Sequence, residues 1–468
     1  MTQPLPGADA PLRKAGRPPG AKNKAKKFNA HYLLSQLTAS LGPSTFAQDR
    51  AGNLFQYSAG AYRELADESG FPIPQVQWFL VRAKKWFTAH GASAHWRDEY
   101  VSWLINDMRA QALSLWPEPP HDRINVRNGI LDLRGILDGT MIAPTLLAHG
   151  PHWLSRVQLP IDYDPSATCP AWDLLKKTSL PEDAPEILEE ICAWLMTPIN
   201  PGEKALVLLG AGGEGKSVIQ TAIKAFIGDA NITHTSLAQL SENRFSLVRL
   251  EGKLVCSAGD LRGSIIENDE IFKMIVGHDA LQAEVKYGAQ YDFKPFCKLI
   301  FNANSMPQSS AGGHSWYRRW LTLPIAARWH VDGAPKEAFH SVVARLRAPS
   351  ELSGLLNRAL SHLHRVAQVG PRESAAMEAM LREEQAATDP TRRWIRQSLE
   401  PTEGGQLAKS DIYDAYAASL ATKGVTPVLK AIFFRTLYEE IPEATSMRKN
   451  GNGGEDSRYL RNIAFRSR

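Results

Sequence analysis

The sequence predicts an α/β protein built on a parallel sheet, with an α+β region before the sheet and a small winged-helix unit after it. Residues 205–330 alternate short apolar runs with helical patterns, which is the order that a parallel sheet covered by helices requires. The run "ALVLL" at 205–209 is apolar throughout, as expected of a strand that is buried on both faces. Residues 390–468 contain three short helical patterns and then the strand-like "RYLRNIAF", an order that suggests a winged helix.

The composition excludes several classes of protein. No apolar stretch approaches the roughly 20 residues that a membrane helix needs, and the amino-terminal residues lack the charged-then-apolar pattern of a secretion signal. The four cysteines are dispersed and contain no CxxC pair, so the sequence predicts neither a zinc knuckle nor a disulfide framework. We therefore expect a reduced, cytoplasmic setting and no membrane partner.

The positive charge is concentrated at the amino-terminal end. Residues 1–27 carry seven Lys or Arg and one Asp, a net +6, so the remaining chain is near 5 − 6 = −1. Few large apolar residues predict a disordered tail. The segment "GRPPGAKNKAKK" is similar to an AT-hook, in which Arg17 would lie in the narrow minor groove of A·T-rich DNA. A solubilising tail is the alternative.

Local patterns divide the rest of the chain. Residues 28–165 form the α+β region, where "VQWFLVRAKKWF" predicts an amphipathic helix and "NLFQYSAGAY" a hairpin. "NVRNGILDL" predicts a second hairpin around Asn128-Gly129. Residues 166–345 form the sheet unit with a helical lead-in at 166–204, residues 346–389 a helical linker, and residues 390–468 the winged helix.

The stretch "LLGAGGEGKSVI" fits the phosphate-loop pattern G-x-x-x-x-G-K-[ST] between a strand and a helix. Its glycines allow backbone N–H groups to turn toward a triphosphate at the helix N-terminus. We expect Lys216 to reach the β- and γ-phosphates of ATP and the Ser217 hydroxyl to bind Mg²⁺. The loop glycines are Gly210, Gly212, Gly213 and Gly215.

Three later segments supply the other groups that such a site needs. "KLVCSAGDL" is a strand that ends at Asp260, where a carboxylate can hold Mg²⁺. "CKLIFNANSMP" is an apolar strand that ends at Asn302 and Asn304, where an amide can orient the attacking water. "SWYRRWLTLPI" places Arg318 and Arg319 just before a strand, and an arginine there can act as a finger into a neighbouring subunit's ATP.

In this order the motifs resemble superfamily 3 helicases, specifically the C-terminal helicase part of phage and plasmid primase-helicases, the group related to the poxvirus primase-helicase. The resemblance extends over roughly residues 120–468. It implies an AAA+-like P-loop ATPase that forms a ring, usually a hexamer, around DNA and unwinds it with 3′-to-5′ polarity. The implied partners are single-stranded and duplex DNA and further copies of the chain, and a separate primase is compatible with the resemblance.

The resemblance also assigns individual positions. They are Walker A (Lys216 and Ser217), Walker B (Asp260), sensor 1 (Asn304) and the arginine finger (Arg319 or Arg318). The segment "EVKYG" matches the region that forms a pore hairpin, which implies that Lys286 contacts the DNA backbone.

Two positions depart from the family pattern. Glu214 replaces the usual Asn two residues before the lysine, and Gly259 precedes Asp260 where two acids often stand together. The identity of the general base therefore stays open, with Glu267 and Glu270 as further candidates.

Three functions remain under comparison. The first is a ring-forming helicase that replicates a phage, satellite or plasmid, and the second is an origin-binding initiator that uses ATP as an assembly switch with little unwinding. A small-molecule P-loop kinase is the third, and the arginine pair and the winged helix disfavour it. Asp162 and Asp164 in "IDYDP" have a spacing that suits two metal ions of a primase, but Pro165 follows at once and favours a polar turn.

Deleting residues 1–27 should weaken duplex DNA binding and reduce its salt dependence. A tail that makes four or five phosphate contacts should change the slope of log K against log salt by about 4, since each contact adds roughly −0.9. With Arg17 in the minor groove, the loss should be larger on A·T-rich than on G·C-rich duplex. Fluorescence anisotropy at several salt concentrations measures both effects. An unchanged slope would leave the tail only a role in solubility.

Overall fold

The computed structural model describes residues 30–211, 213–261, 265–266, 269–284, 290–309, 314–325, 339–422, 427–449 and 457–466. The elements before the central sheet are α1 (Ala30–Leu41), β1 (Phe46–Gln48), β2 (Leu54–Ser58), β3 (Ala61–Glu64), α2 (Gln75–Ala89), α3 (Tyr100–Gln111), β4 (Leu113–Ser114), β5 (Arg123–Val126), β6 (Gly129–Asp132), α4 (Arg134–Leu137), β7 (Thr145–Leu147), α5 (Pro170–Ser179) and α6 (Ile187–Leu195). Within the described ranges, no helix is both long and apolar enough to cross a bilayer.

The central elements follow in an α/β order. They are β8 (Ala205–Leu209), α7 (Lys216–Ile227), β9 (Ile232–Thr233), α8 (Leu237–Glu242), α9 (Arg244–Leu247), β10 (Val255–Asp260), β11 (Ile265–Ile266), α10 (Glu270–Val276), β12 (Leu281–Glu284), β13 (Gln290–Phe293), β14 (Lys298–Ala303), β15 (Gln308–Ser309), α11 (His314–Tyr317) and β16 (Trp320–Pro324). The carboxyl-terminal elements are α12 (Phe339–Leu346), α13 (Pro349–Val369), α14 (Ala375–Thr388), α15 (Pro390–Ser398), β17 (Leu399–Ala408), α16 (Lys409–Ala421), α17 (Lys430–Glu440), β18 (Thr445–Lys449) and β19 (Ser457–Phe465).

The predicted parallel sheet is confirmed. Its strands have the order β16-β8-β14-β10-β9, and every neighbouring pair is parallel. Strand β8, which precedes the glycine-rich loop, therefore lies between β16 and β14. Because the strands are parallel, the residues that follow β8, β10 and β14 all come to the same edge of the sheet.

Strand β8 is apolar throughout because both faces of the sheet are covered. Leu206 and Leu208 belong to a core that contains α6, α7 and α13, whereas Val207 and Leu209 belong to a second core on the opposite face. The long helix α13 contributes Leu355, Leu356 and other leucines to the first core. The segment 346–389, which the sequence suggested as a linker, thus supplies a helix to the core of the sheet unit.

The amino-terminal residues form a separate small core on the sheet β3-β2-β1-β4 and helices α1 to α3. The predicted helix is present as α2, and the first predicted hairpin is β2-β3. Its turn residues Ala59 and Gly60 both have positive φ, 47° and 88°, which suits a tight two-residue hairpin turn.

The second predicted hairpin is present as β5-β6, but its turn is one residue earlier than Asn128-Gly129. Val126 pairs with Gly129, so the turn residues are Arg127 and Asn128. The Asn128 side chain bonds the backbone N–H and C=O of Tyr163 at 2.9 and 3.0 Å, which fixes it in the turn. Gly129 is instead the first residue of β6. A glycine is needed there, because a Cβ would lie under 3.0 Å from the carbonyl oxygen of Leu147 in the neighbouring strand β7.

The carboxyl-terminal unit contains the three predicted helices and the predicted terminal strand β19. Two strands were not predicted, β17 between the first two helices and β18 before β19. The three strands form an antiparallel sheet in the order β17-β19-β18. Tyr416 lies at the centre of this unit, where its ring contacts Trp394 and Phe433 and its hydroxyl bonds Thr391 at 2.8 Å.

Candidate functional site

The glycine-rich loop connects the end of β8 to the start of α7. Gly213 and Gly215 have φ of 88° and 90°, a left-handed conformation that glycine adopts without steric cost. Helix α7 then begins at Lys216 with Gly215 as its N-cap. The N–H groups of Lys216 and Ser217, the first two of the helix, have no acceptor inside it, whereas the Val218 N–H bonds the Gly215 carbonyl at 2.9 Å.

Gly210 is required for a close approach between neighbouring strands. A Cβ at this position would lie under 3.0 Å from the Ile325 carbonyl oxygen and from a carboxylate oxygen of Glu214. The Ile325 N–H also bonds the Leu209 carbonyl at 2.7 Å. At Gly210 the chain therefore has no room for a side chain between the Ile325 backbone and the Glu214 carboxylate.

Lys216 is 8% exposed, and its ammonium bonds only neutral oxygens. Its Nζ donates to the carbonyls of Gly210 and Ala211, the latter at 2.8 Å, and to Oδ1 of Asn304 at 2.8 Å. Among the ion pairs of the described residues, none includes Lys216. A buried ammonium without a counter-charge is costly unless an anion binds to it.

The sheet and helix α7 bring four of the sequence-predicted residues to one edge. Asn304 follows β14 and contacts Lys216, although 88 residues separate them. Asp260 ends β10 and pairs in the backbone ladder with Asn302 of β14. Ser217 is exposed in the first turn of α7. Lys216, Ser217, Asn304 and the backbone of Asp260 therefore share the edge where the loop lies.

These residues fit ATP and Mg²⁺. The Lys216 ammonium, which donates to neutral oxygens, and the first N–H groups of α7 suit a phosphate, and at Gly210 a Cβ would meet the Ile325 carbonyl. A hydroxyl and a carboxylate are oxygen ligands, which Mg²⁺ prefers.

Arg318 and Arg319 lie at the opposite end of the sheet. Trp320 pairs with Ala205, the first residue of β8, and the Ala205 N–H donates to the Arg319 carbonyl at 2.8 Å. One strand of five residues, about 16 Å, separates this pair from Gly210. Neither arginine is therefore placed to reach the phosphate loop of its own chain.

Both arginines contact Glu203. Arg318 Nη2 lies 2.9 Å and Arg319 Nη2 lies 3.4 Å from the same Glu203 oxygen. The side chain of Arg318 is 42% exposed and that of Arg319 is 13% exposed, so Arg318 is the more accessible of the two. Burial and the neighbouring Arg318 lower the pKa of Arg319. Glu203 has a φ of 48°, a strained conformation for a residue with a side chain.

Several predicted positions lie outside the described residues: Arg17, Gly212, Glu267 and Lys286. The strands that flank Lys286 are described, and β12 and β13 pair antiparallel from Leu281–Phe293 to Glu284–Gln290. The amino-terminal region contacts this stem, because Arg50 donates to the Asp292 carbonyl at 2.9 Å. Glu270 begins α10.

The sequence did not identify Gln220 or Glu203 as partners of the site. Gln220 is buried one turn after Lys216 and bonds both β10 and β14. The only clue in the sequence is that this Gln falls on the buried face of an amphipathic helix, and that position does not reveal its partners.

The two acidic residues of the segment "IDYDP" are both bonded within the chain, Asp162 by an arginine and Asp164 by a serine. Asp162 pairs with Arg127, and this hydrogen bond lowers the Asp162 pKa, while Asp164 accepts from Ser166 at 2.9 Å. These contacts are those of a polar turn, as the sequence suggested.

Within the described part of the chain, Glu186, Glu190 and His362 are grouped closely enough to hold a metal ion. Glu190, however, pairs with Arg365 and Arg372. Two guanidinium groups compete with any cation there, so we interpret the group as an ion-pair cluster between α6 and α13.

Comparisons with known proteins show similarity in the part of the chain that contains the glycine-rich loop. A family described as a family of unknown function (DUF5906) matches residues 208–319, well under half of the chain. This range begins at the strand before the loop and ends at Arg319. The chain is also 24% identical, over 171 residues, to a putative helicase of Acanthamoeba polyphaga mimivirus. That alignment includes 35% of this chain and spans only 18% of the viral protein's length.

Among solved structures, the chain is similar to the C-terminal region of NrS-1. An apo structure of that region has a TM-score of 0.45 at 11% identity, with 92% of this chain and 98% of that chain covered. A second apo form gives a TM-score of 0.42 at 12% identity, with 91% and 98% covered. With TM-scores this low, these similarities do not establish a shared fold.

Replacing Gly210 with Ala should destabilise the loop, because the new Cβ has no space beside the Ile325 carbonyl. We expect Gly210→Ala to cost about 1–3 kcal/mol of stability and to weaken nucleotide binding. Gly259→Ala is the control, since no atom lies within 4 Å of a Cβ there. Thermal unfolding without ligand distinguishes the two variants. Equal melting temperatures would contradict the steric argument.

Proposed function

We propose that this chain is an ATP-hydrolysing DNA helicase that assembles as a ring and acts in the replication of a phage, satellite or plasmid. The observation that carries the proposal is the buried Lys216 ammonium, which bonds only neutral oxygens at the start of α7. A triphosphate supplies the negative charge that this ammonium and the unpaired N–H groups of the helix lack.

The arrangement of the other residues suits hydrolysis rather than binding alone. Ser217 and Asp260 would hold Mg²⁺, which neutralises charge that develops on the phosphates. Lys216 binds the β- and γ-phosphate oxygens. Asn304 lies within hydrogen-bond distance of Lys216, so its amide would be available to orient the water that attacks a bound γ-phosphate.

The arginine pair favours assembly into a ring. Arg318 and Arg319 lie about one strand length from their own loop, at the amino ends of the strands. An arginine finger at this position acts only on the ATP of a neighbouring subunit. The exposed side chain of Arg318 is the more accessible candidate, and Glu203 holds it in place within its own chain.

The carboxyl-terminal unit supports contact with DNA. Its order of helix, strand, two helices and two strands is that of a winged helix, which we propose it to be. Helix α17 exposes Lys430 and Arg435, and strand β19 exposes Arg458 and Arg461. Basic side chains on both elements suit the phosphate backbone of a duplex. The similarity to a putative viral helicase also favours a helicase over a small-molecule kinase.

Lys216→Met should abolish ATP hydrolysis and ATP-dependent displacement of a strand from a forked duplex. It should not lower the melting temperature without ligand, because methionine removes a buried charge that forms no ion pair with the residues that the structure describes. The assay compares wild type and variant with and without single-stranded DNA. Wild-type hydrolysis without strand displacement would favour the initiator, and Lys216→Met turnover near wild type would contradict the proposal.

Arg318→Ala or Arg319→Ala should leave ATP affinity nearly unchanged and reduce hydrolysis by about 10³- to 10⁵-fold, as for other arginine fingers. Each variant is then mixed with Lys216→Met subunits. Because the finger acts across an interface, some interfaces in mixed rings combine an intact loop with an intact finger, and part of the activity should return. If neither arginine variant regains activity when it is mixed with Lys216→Met subunits, the result would argue against a finger in trans.

A further inference from the structure

Gln220 connects three elements of the proposed site through one buried side chain. It lies on α7, one turn after Lys216, and is 7% exposed. Its Nε2 donates to Ser257 Oγ and to the Ala258 carbonyl of β10, both at 3.0 Å. Its Oε1 accepts from Asn302 Nδ2 of β14, also at 3.0 Å.

The bonds to β10 are made where that strand is irregular. Ser257 pairs with Ile300, but the next pair is Asp260 with Asn302, so two residues of β10 stand opposite one of β14. This is a β-bulge, which interrupts the ladder and shifts the register by one residue. The Ala258 carbonyl lies inside the bulge and accepts from Gln220. Asp260 thereby takes the pairing position that Gly259 would hold in an unbroken ladder.

We propose that Gln220 is a positioning residue that holds the end of β10, and with it Asp260, at a fixed distance from the phosphate loop, so that Mg²⁺ is bound between Ser217 and Asp260. The inference rests on the proposed function and concerns the metal side of that site. Mg²⁺ demands near-ideal octahedral geometry with short ligand distances, and its ligands here come from two different elements. Gln220 joins these two elements, because it is part of α7 and its side chain bonds β10.

Packing alone does not account for this residue. A leucine has a similar volume and would fill the same space between α7 and the sheet without the cost of burying an amide. The amide instead makes three hydrogen bonds to two strands. These bonds fix the strand ends relative to the helix in a way that apolar contacts do not, because hydrogen bonds are directional.

The experiment measures Mg²⁺ affinity and stability separately. The variants are Gln220→Leu and Gln220→Glu; the second keeps an acceptor for Asn302 but has no donor for the Ala258 carbonyl. Gln158→Leu is the control, because Gln158 is also 7% exposed and hydrogen-bonded but bonds Ala59 and Asn125 in the amino-terminal half of the chain. Each protein is titrated with Mg²⁺ in the presence of ATPγS, and its melting temperature is measured without ligand.

Both Gln220 variants should bind Mg²⁺ about 10- to 100-fold more weakly, as is typical when a residue that orients a metal ligand is replaced. The affinity for ATPγS in EDTA should stay near the wild-type value. The control Gln158→Leu should lose about as much thermal stability as the Gln220 variants, whereas its Mg²⁺ affinity should stay at the wild-type value. The positioning role would be overturned if Gln158→Leu lost as much Mg²⁺ affinity as the Gln220 variants. It would also be overturned if the Gln220 variants lost ATPγS affinity in EDTA to the same degree as Mg²⁺ affinity.

A double variant tests whether Gln220 acts through Asp260. Asp260→Asn should also weaken Mg²⁺ binding, and adding Gln220→Leu should cause little further loss, since residues that act as a unit are not additive. Additive losses would overturn the inference, and so would wild-type ATPγS affinity that does not respond to Mg²⁺. These outcomes are separate from a failure of the proposed function, which is measured by hydrolysis that depends on Lys216.

Discussion

The rest of the site depends on one interaction, the burial of the Lys216 ammonium among neutral oxygens. A charged group that leaves water without a counter-ion costs several kcal/mol even after the surroundings adjust. Hydrogen bonds that the ammonium donates to the Ala211 carbonyl and to the Asn304 amide oxygen offset part of this cost. The chain places this lysine where the left-handed glycines of the loop and the first turn of α7 converge. An anion that enters the loop would remove the remaining penalty, which is the physical basis of the proposed phosphate site.

The order of the sheet then separates two chemical tasks. Parallel strands bring Lys216, Asn304 and the end of β10 to the carboxyl edge, and the same parallel pairing holds Arg318 and Arg319 at the amino edge beside Ala205. The two groups of residues cannot act on one phosphate within a single chain. Within one subunit, the glycine-rich loop has neither arginine of the pair beside it, and the arginine pair does not have the loop beside it. The proposed ring follows from this separation, because a neighbour can bring its amino edge to the loop.

Much of this arrangement was predictable because it depends on local patterns. The apolar run of β8, the glycines and the helix that begins at Lys216 are all encoded within a short segment, and their places agree with the sequence prediction. The contact between Lys216 and Asn304 was expected only from the order of motifs, since it joins residues 88 positions apart. Gln220, Glu203 and the strands β17 and β18 were not predicted. Gln220 and Glu203 act through partners brought together by tertiary packing, and β17 contains two glycines and one proline that weaken its strand pattern.

The β-bulge gives a physical meaning to the place where the sequence departs from the helicase motif that it resembles. Where two acids often stand in line, β10 has Gly259 and Asp260, and Gly259 has open space around it. An extra residue in one strand shifts every later residue by one pairing position. The ladder partner of Asn302 is therefore the single acid rather than the glycine. The bulge survives because the Ala258 carbonyl that it frees from the ladder is satisfied by Gln220. One acid at the end of β10 is thus held in register with the strand that carries Asn304, and the helix that carries Lys216 supplies the bond that holds it there.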